Sequence, residues 1–443
     1  MRMNKTRPDK SGKNRNTGAA GIKAVRGFRA RLRAFRDDRA GVIAIITAIL
    51  FPVMVGFAGV GLDVSDWYQV RREMQAAADS AAISGAWELN TDPDNVEIVA
   101  EADALRNSFR DQGVATIVAT SPPTSGPFAG DASAVQVSIQ KDLELFFSDI
   151  FLTSPISASV TATARLGNGA GLCVLSLAET GTGIELSGSS SAQLGCGILS
   201  NSISNNSVTL SGNTELTADP IASAGQIETT GNPTINSSSQ IEGSARGKDP
   251  YADLAVPTPE SCDADHTNVT VTGTTSLSPG TYCGNLRVNA NATVTFEPGE
   301  YVIDGGDLNI LGNTDVSGED VTIIMTASDG VSYGNLNLSG NSDLLLSAPT
   351  SGDFSGVLFF QDPSAPVDGT NSITGSSDFD VTGAFYFPSQ EIAFSGSSDI
   401  NVSCVQLIGL KVSFSGSSDF QNANDCDTAG TAPLTLPVVR LVD

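Results

Sequence analysis

The sequence is poor in aromatic side chains and in histidine. Aromatic residues make up 6% of its 443 positions, and His266 is its single histidine. No Cys-x-x-Cys motif occurs, and no second histidine accompanies His266. We therefore expect a layered core built mainly from aliphatic residues, and no zinc site.

Positive charge is scarce beyond the first forty residues. Residues 1–40 contain 13 of the 24 Lys and Arg residues and 3 of the 49 acidic residues, a net charge of +10. The rest of the chain has 11 basic and 46 acidic side chains, a net charge of −35. An acidic body of this kind repels nucleic acid, so we expect no nucleic-acid partner. It also lacks the clustered cations with which polysaccharide lyases stabilise an enolate.

One long run of residues has no charge at all. As a helix, Ala40–Leu62 spans about 34 Å, which is enough to cross a hydrocarbon core of about 30 Å. Arginines precede the run, and Asp63 and Asp66 follow it, so the positive-inside rule places the N-terminus in the cytoplasm. We interpret the run as a transmembrane helix. The alternative is a cleaved signal peptide with Ala58 or Gly59 at the processing site, but its apolar region would be unusually long.

The sequence after Cys173 repeats itself, mostly at intervals near 20 residues. Nine of the ten copies have a glycine, nine have an apolar residue two positions before that place, and all ten have an apolar residue four positions after it. Such short units bury their apolar residues only by stacking on neighbouring copies, as in the coils of a parallel β-helix. A β-sandwich or jelly roll is the alternative, but it has no reason to repeat one corner. The glycine column is Gly188, Gly212, Gly231, Gly273, Gly312, Gly340, Gly375, Gly396 and Gly416, with Ala290 in the one missing place.

All six cysteines lie beyond the apolar run. An even number in an oxidising compartment favours structural disulfides. Stacked strands lie about 4.8 Å apart, and the Cα atoms of a disulfide usually lie about 4.4–6.8 Å apart, so cysteines one coil apart can be bridged. The spacing predicts the pairs Cys173–Cys196, Cys262–Cys283 and Cys404–Cys426.

A column of aspartates recurs three positions after the repeat glycine. Stacked carboxylates repel one another at about 5 Å unless water solvates them or cations such as Ca²⁺ bridge them. The sequence leaves both interpretations open, and it indicates no other cofactor. Acidic residues are so abundant that no one pair is singled out as a hydrolase site. The column consists of Asp315, Asp343, Asp378, Asp399 and Asp419.

The segment around the apolar run carries an ordered set of motifs. Arg39-Ala40-Gly41 precedes the run, Asp63-Val64 follows it, and residues 74–82 read MQAAADSAA in the next helical stretch. With these motifs, residues 36–88 resemble the N-terminal module of TadE/TadG-like proteins of the tight-adherence (Flp) pilus-assembly system. Pilin-like members are cleaved after a glycine that is followed by Glu at the fifth position. Ile46 stands at that position after Gly41, so the resemblance does not extend to pilin-type processing.

The resemblance implies a single-pass protein of the bacterial inner membrane that belongs to a pilus-assembly or secretion apparatus. Its C-terminal part would lie in the periplasm or at the cell surface. The expected partners are pilus-assembly or secretion proteins and, on the polar Ser, Thr, Asn and Asp faces, a surface glycan. Two other functions stay open: a membrane-tethered polysaccharide-active enzyme and a glycan-binding adhesin.

The predicted fold class is mainly β, with a single N-terminal transmembrane helix, a small α+β connector and a C-terminal right-handed parallel β-helix. We expect no enzymatic function. In the connector, residues 95–110 are predicted as a helix, and residues 134–140 and 156–165 as strands. The predicted boundaries are 1–39 for a basic cytoplasmic tail, 40–62 for the transmembrane helix, 63–168 for the TadE/G-like helix and α+β connector, 169–432 for the parallel β-helix and 433–443 for a C-terminal tail.

Overall fold

The computed structural model describes residues 39–108, 115–152, 154, 156–340, 342–374, 379–397, 399–423, 426 and 428–442. All of the predicted basic tail except Arg39 lies outside these residues. The chain is mainly β, with one long N-terminal helix and one short helix. It divides into two compact units. The first comprises Met1–Ala76, Arg110–Thr116 and Ile139–Val160, and the second comprises Ala77–Phe109, Ile117–Ser138 and Thr161–Asp443.

The two helices follow each other closely. Helix α1, Arg39–Thr91, joins the predicted membrane span to the helical stretch after it without a break, although Pro52 lies inside it. After α1, the side chain of Asp92 accepts a hydrogen bond from the N–H of Asp94 at 3.3 Å and caps a short 3₁₀ turn. Helix α2, Val96–Ser108, follows and is the helix predicted at residues 95–110.

Three strands connect the helices to the repeats. They are β1, Ala115–Thr120, β2, Ala134–Leu143, and β3, Ile156–Ser176. β1 pairs with β2, and β2 pairs with β3. The strands predicted at residues 134–140 and 156–165 therefore exist and extend beyond the predicted ends.

Short strands separated by corners make up the rest of the chain. The strands of the first repeat segment are β4 Ile184–Leu186, β5 Ser191–Leu194, β6 Gly197–Ser200, β7 Val208–Gly212, β8 Glu215–Thr217, β9 Ile221–Ser223, β10 Ile227–Gly231, β11 Thr234–Asn236 and β12 Gln240–Glu242. Those of the second are β13 Thr270–Val271, β14 Thr274–Leu277, β15 Gly280–Cys283, β16 Leu286–Val288, β17 Thr293–Phe296, β18 Gly299–Asp304, β19 Leu308–Ile310, β20 Asp315–Gly318, β21 Val321–Thr326, β22 Leu336–Ser339, β23 Asp343–Ser347, β24 Val357–Gln361, β25 Thr370–Thr374, β26 Phe379–Ser395, β27 Asp399–Val402, β28 Cys404–Phe414 and β29 Asp419–Asn422.

The last strand lies within the predicted C-terminal tail. This strand, β30, spans Thr435–Leu441 and pairs antiparallel with β3, with Leu166 beside Val439.

Each repeat strand pairs in parallel with the strand at the same position of a neighbouring group of three strands, which we call a coil. This pairing produces three columns of strands. In one column Val288 lies beside Ile310, Ile310 beside Leu338, and Leu338 beside Ile373. These are the apolar positions predicted two residues before the glycine, and their side chains belong to one continuous buried cluster.

One predicted register is wrong. Leu277 lies beside Phe296, and Val294 lies beside Thr275, although the repeat alignment placed Leu277 with Val294. The reason is the length of the corner. Val271 pairs with Val288, and Thr274 pairs with Thr293. The corner between Val271 and Thr274 is therefore two residues shorter than the corner between Val288 and Thr293.

The coils do not stack in chain order. The last coil of the second segment pairs with the first coil of the first segment, because Phe414 of β28 lies beside Leu186 of β4. β10 pairs with β7, and β13 pairs with β16. β10 and β13 therefore lie at opposite ends of their column. We call the junction between β28 and β3–β4 the seam.

A connecting segment, residues 243–266, returns the chain from one end of the stack to the other; we call it the strap. Gly247 N–H donates to the Asn201 side chain at 2.7 Å, near the start of the strap. Further along, the Tyr386 hydroxyl donates to the carboxylate of Asp249 at 2.9 Å. Near the end of the strap, Cys262 forms a disulfide with Cys283. Within the second segment, the strap therefore contacts the later coil at Tyr386 before the earlier coil at Cys283.

Candidate functional site

The outer surface of α1 in the first unit is strongly apolar. Most side chains from Ile43 to Leu62 are exposed, and Phe57 is 78% exposed. By length and composition the helix can cross a membrane. Apolar surface costs roughly 25 cal/mol per Å² in water, so a surface of this extent has to be covered by lipid or protein.

A short loop packs against α1 directly after this apolar surface. We call residues 144–152 the clasp loop. The carboxylate of Asp63 accepts hydrogen bonds from the backbone N–H of Phe147 at 2.9 Å and of Ser148 at 2.6 Å. One turn further along α1, Trp67 Nε1 donates to the backbone oxygen of Glu144 at 3.0 Å. Asp63 and Trp67 therefore fasten both ends of the Glu144–Ser148 segment to the helix.

A glycine on α1 lets the loop approach the helix closely. A Cβ atom at Gly59 would lie 2.6 Å from Cγ of Phe147, closer than real Cβ contacts allow. The Phe147 ring thus occupies the space above Gly59, one turn before Asp63. Beyond it, Phe151 completes a shallow apolar groove on α1. The α1 residues lining that groove are Pro52, Val53, Gly56, Phe57 and Val60.

Asp63 is the one acid in this arrangement whose side chain is buried, with 1% of its surface exposed. Burial raises its pKa, but the hydrogen bonds from Ser148 and Phe147 outweigh burial, so the pKa of Asp63 lies below its ordinary value of 3.8. The carboxylate is therefore ionised at neutral pH while it holds the clasp loop.

The small residues further along α1 pack within the second unit. Ala77 and Ala81 are buried, and a Cβ atom at Gly85 would lie 3.0 Å from side-chain atoms of Ala100 and Val135. The i, i+4 spacing of these residues on the sequence equally fits packing against a partner helix. In the structure, this part of the small-residue face is covered by the chain's own α2 and β2.

The six cysteines form three disulfides between neighbouring coils or between a coil and the strap. The Cα–Cα distances are 5.8 Å for Cys173–Cys196, 5.9 Å for Cys262–Cys283 and 5.0 Å for Cys404–Cys426. These are the pairs that the spacing predicts. Each bridge links parts of the chain 21–23 residues apart, so no bridge crosses the seam.

The described members of the predicted aspartate column lie in register. Asp315 is beside Asp343, and Asp399 is beside Asp419. Asp378 and the side chain of Asp399 lie outside the described residues. Among the side chains that are described, no three His, Cys, Asp or Glu residues come together as a metal site. A solvated polar face stays the predicted state of this column, with bridging by Ca²⁺ as its alternative.

In the strand columns, Lys411 is held between two acids. Lys411 Nζ lies 2.7 Å from Glu185 and 3.2 Å from Glu391, and so joins both sides of the seam. Burial lowers the pKa of Lys411, but Glu185 and Glu391 raise it further, so the pKa lies above its ordinary value of 10.5. A lysine with a raised pKa keeps its proton at neutral pH and is poorly suited to abstract one from a substrate. Its charge instead supports pairing between coils. His266 is half-buried, and its Nδ1 lies 2.8 Å from the carboxylate of Asp263 in the strap.

Sequence reasoning missed the clasp loop. Its signal is the sequence LFFSDIFL at residues 145–152, in which five large apolar residues besides Leu145 surround Ser148 and Asp149. The stretch is too short and too irregular for helix or strand periodicity, so it resembles an ordinary connection.

Comparison with known families gives a match within helix α1. Residues 41–88 match the family model "Putative Flp pilus-assembly TadE/G-like". The match confirms the resemblance of the N-terminal module and associates it with Flp pilus assembly. It spans most of α1, including Gly59, Asp63 and Trp67. Neither the curated proteins nor the solved structures give a match to the chain.

Proposed function

We propose that the chain is a non-enzymatic, membrane-anchored component of a bacterial tight-adherence (Flp) pilus-assembly or secretion apparatus. The match of residues 41–88 to the TadE/G-like family carries this proposal. The exposed apolar surface of α1 supports a membrane anchor, since a soluble protein would bury it. Arginines before the span and acids after it support a cytoplasmic N-terminus and a periplasmic or surface-exposed C-terminal part.

The repeat region would act as a right-handed parallel β-helix that presents long, polar side faces outside the cytoplasm. Parallel columns in register, a shared buried cluster and corners at the glycine column support this architecture. Connections between parallel strands of one sheet are right-handed in about 98% of cases, which supports the hand. Its rigid faces suit contact with other subunits or with a surface glycan.

The pilus assignment is tested by recovering partners from membranes. Full-length protein with a C-terminal affinity tag is purified from detergent-solubilised membranes, and the bound proteins are identified by mass spectrometry. We expect pilus-assembly or secretion subunits. A matched control replaces residues 41–62 with an unrelated transmembrane helix, which preserves anchoring but removes part of the family match. Loss of those subunits in the control is expected; their absence from the unaltered protein would contradict the proposal.

The non-enzymatic assignment is tested separately. The purified chain is incubated with acidic polysaccharides, and released sugars are measured. We expect no release. Product formation that a single carboxylate substitution abolishes would contradict this part of the proposal and favour a polysaccharide-active enzyme.

A further inference from the structure

We propose that the clasp loop, residues 144–152, inserts into the periplasmic leaflet of the bilayer beside α1 and forms a second membrane contact. This inference rests on the proposed anchoring of α1 in the membrane. It adds an element about eighty residues away in sequence that neither the apolar run nor the family match includes.

The loop exposes large apolar side chains that its own fold leaves uncovered. Ile150 is 77%, Phe151 68% and Phe146 63% exposed. Phe151 lies over the groove on α1, so the exposed surface of the loop continues into that of the helix. If lipid covers the helix at Val53–Val60, the same lipid meets the loop.

The height of the contact along α1 fits insertion at the interface. Gly56, in the middle of the groove, is six residues before Leu62, the last residue of the predicted span. At about 1.5 Å per residue this places the groove about 9 Å below the end of the span. Interfacial elements bury their apolar side chains about 5–10 Å into the headgroup and acyl boundary.

The backbone of the loop is prepared for an environment with little water. Asp63 accepts the N–H groups of Phe147 and Ser148. The turn itself satisfies the next donors: Phe151 and Leu152 N–H both donate to the oxygen of Ser148, at 2.9 and 2.8 Å. Unsatisfied N–H groups would oppose entry into lipid, and these have partners within the first unit.

The charge of the loop indicates whether it binds lipid through charged headgroups or through apolar contact. The clasp loop contains two acidic residues, Glu144 and Asp149, and no basic one. Anionic headgroups would therefore repel the loop, so its binding depends on apolar side chains. The exposed carboxylate of Asp149 favours a position at the headgroups, because a charge at the bilayer centre is costly.

Depth-dependent quenching tests the proposal on the full-length chain in phosphatidylcholine vesicles. Every described cysteine is in a disulfide, so a new cysteine carries the fluorescent label alone. The label is placed by Ile150→Cys in the loop, by Phe51→Cys in the middle of the span and by Val331→Cys at a 78% exposed position in the repeat region. Lipids with nitroxide groups at shallow or deep positions then quench the label.

We expect the Ile150 label to be quenched more strongly by shallow than by deep nitroxides, and more than the Val331 label by either. The Phe51 label should show the opposite depth preference. Adding anionic lipid should not strengthen quenching at Ile150. A loop label quenched no more than the Val331 label, with deep quenching at Phe51 retained, would overturn the inference and leave the anchor intact. Absence of quenching at Phe51 would refute the anchor and, with it, this inference.

A pair of glycine variants separates insertion of the loop from its attachment to α1. Gly59→Leu fills the space occupied by the Phe147 ring, whereas a Cβ atom at Gly61 would meet nothing within 4 Å. In the Ile150→Cys background, Gly59→Leu should reduce shallow quenching by at least half, and Gly61→Leu should leave it unchanged. Equal quenching in the two variants would overturn the assignment of Gly59 as the residue that positions the loop.

Discussion

At the scale of single residues, backbone contact between coils explains the glycine at three positions of the column. Gly188, Gly212 and Gly231 all have positive φ, and each approaches the backbone of the next glycine in the column. A side chain at these positions would meet a carbonyl oxygen of the neighbouring coil. These three positions therefore combine two requirements, a left-handed corner and a close approach, that only glycine meets together.

Substitution of a column glycine should lower the free energy of unfolding by more than the strain of a positive φ alone. Gly212 and Gly181 have φ of +90° and +79°, but a Cβ atom would collide with Gly188 only at Gly212, and at Gly181 it would meet nothing within 4 Å. Gly181→Ala should destabilise by about 1–2 kcal/mol through φ. Gly212→Ala should cost at least about 2 kcal/mol more. Thermal unfolding followed by circular dichroism measures both, and equal losses would contradict the stacking contact.

The charge of Asp63 should control attachment of the clasp loop. Its pKa is lowered in the attached state, so the carboxylate favours attachment above its ordinary value of 3.8, and this contribution is lost as the pH falls through the lower pKa. In a Trp87→Phe background, Trp67 fluorescence reports the loop. We expect an emission shift to longer wavelength with a midpoint below 3.8. Asp63→Ala should abolish this transition, and Asp149→Ala should retain it; a transition that persists without Asp63 would contradict the assignment.

At the scale of structural elements, the seam joins two strands that the chain order keeps far apart. β28 and β4 are separated by more than two hundred residues but pair in register, and Lys411 bridges acids from both neighbouring coils. About a quarter to a third of each of the three side chains is exposed. Water therefore screens the ion pairs, and they contribute only modestly to the stability of the fold.

Removal of Lys411 should weaken the seam in a pH-dependent way. Lys411→Met should destabilise by about 1 kcal/mol at neutral pH, because it leaves Glu185 and Glu391 without their cation. The raised pKa of Lys411 means that its contribution is complete below 10.5 and is lost as the pH rises through the folded-state pKa. The difference in melting temperature from the unaltered protein should therefore shrink at strongly alkaline pH. Lys248→Met, at an exposed position of the strap, is the control and should show no such pH dependence.

The elements differ in how far the sequence could predict them. The apolar and glycine columns were predictable, because every coil must bury the same positions and turn at the same corner. The register of Leu277 was not, since a corner shortened by two residues leaves the spacing of apolar residues nearly regular. The clasp loop was not predictable because its role depends on Asp63 and Gly59, which lie on another element.

At the scale of the whole molecule, periodicity indicates that coils stack but contains no information about which coils are neighbours. Each coil has the same apolar and glycine positions, so Phe414 can stack on Leu186 as well as on any other member of the column. What distinguishes the observed order is the strap, whose contacts with Asn201, Tyr386 and Cys283 return the chain to the far end. Only long-range contacts of this kind determine the order.

Cleavage of the strap should leave two fragments held together by the seam and by the pairing of β30 with β3. A protease site inserted after the exposed Ala255 yields fragments of residues 1–255 and 256–443, and each disulfide lies within one fragment. We expect the cleaved protein to remain associated in detergent without denaturant and to separate in denaturant without reductant. Association is measured by tagging one fragment and recovering the other.

Two buried positions then distinguish the observed order of coils from stacking in chain order. Phe414 lies at the seam, whereas Val271 lies in β13 at the far end of the stack and would contact the first segment only if coils followed the chain. Truncation of a buried Phe costs about 3–5 kcal/mol, so Phe414→Ala should weaken association of the cleaved fragments at least about a hundredfold. Val271→Ala should leave it unchanged, because β16, the strand that pairs with β13, belongs to the same fragment. The reverse result would mean that the two segments meet at β10 and β13 and that the seam does not exist.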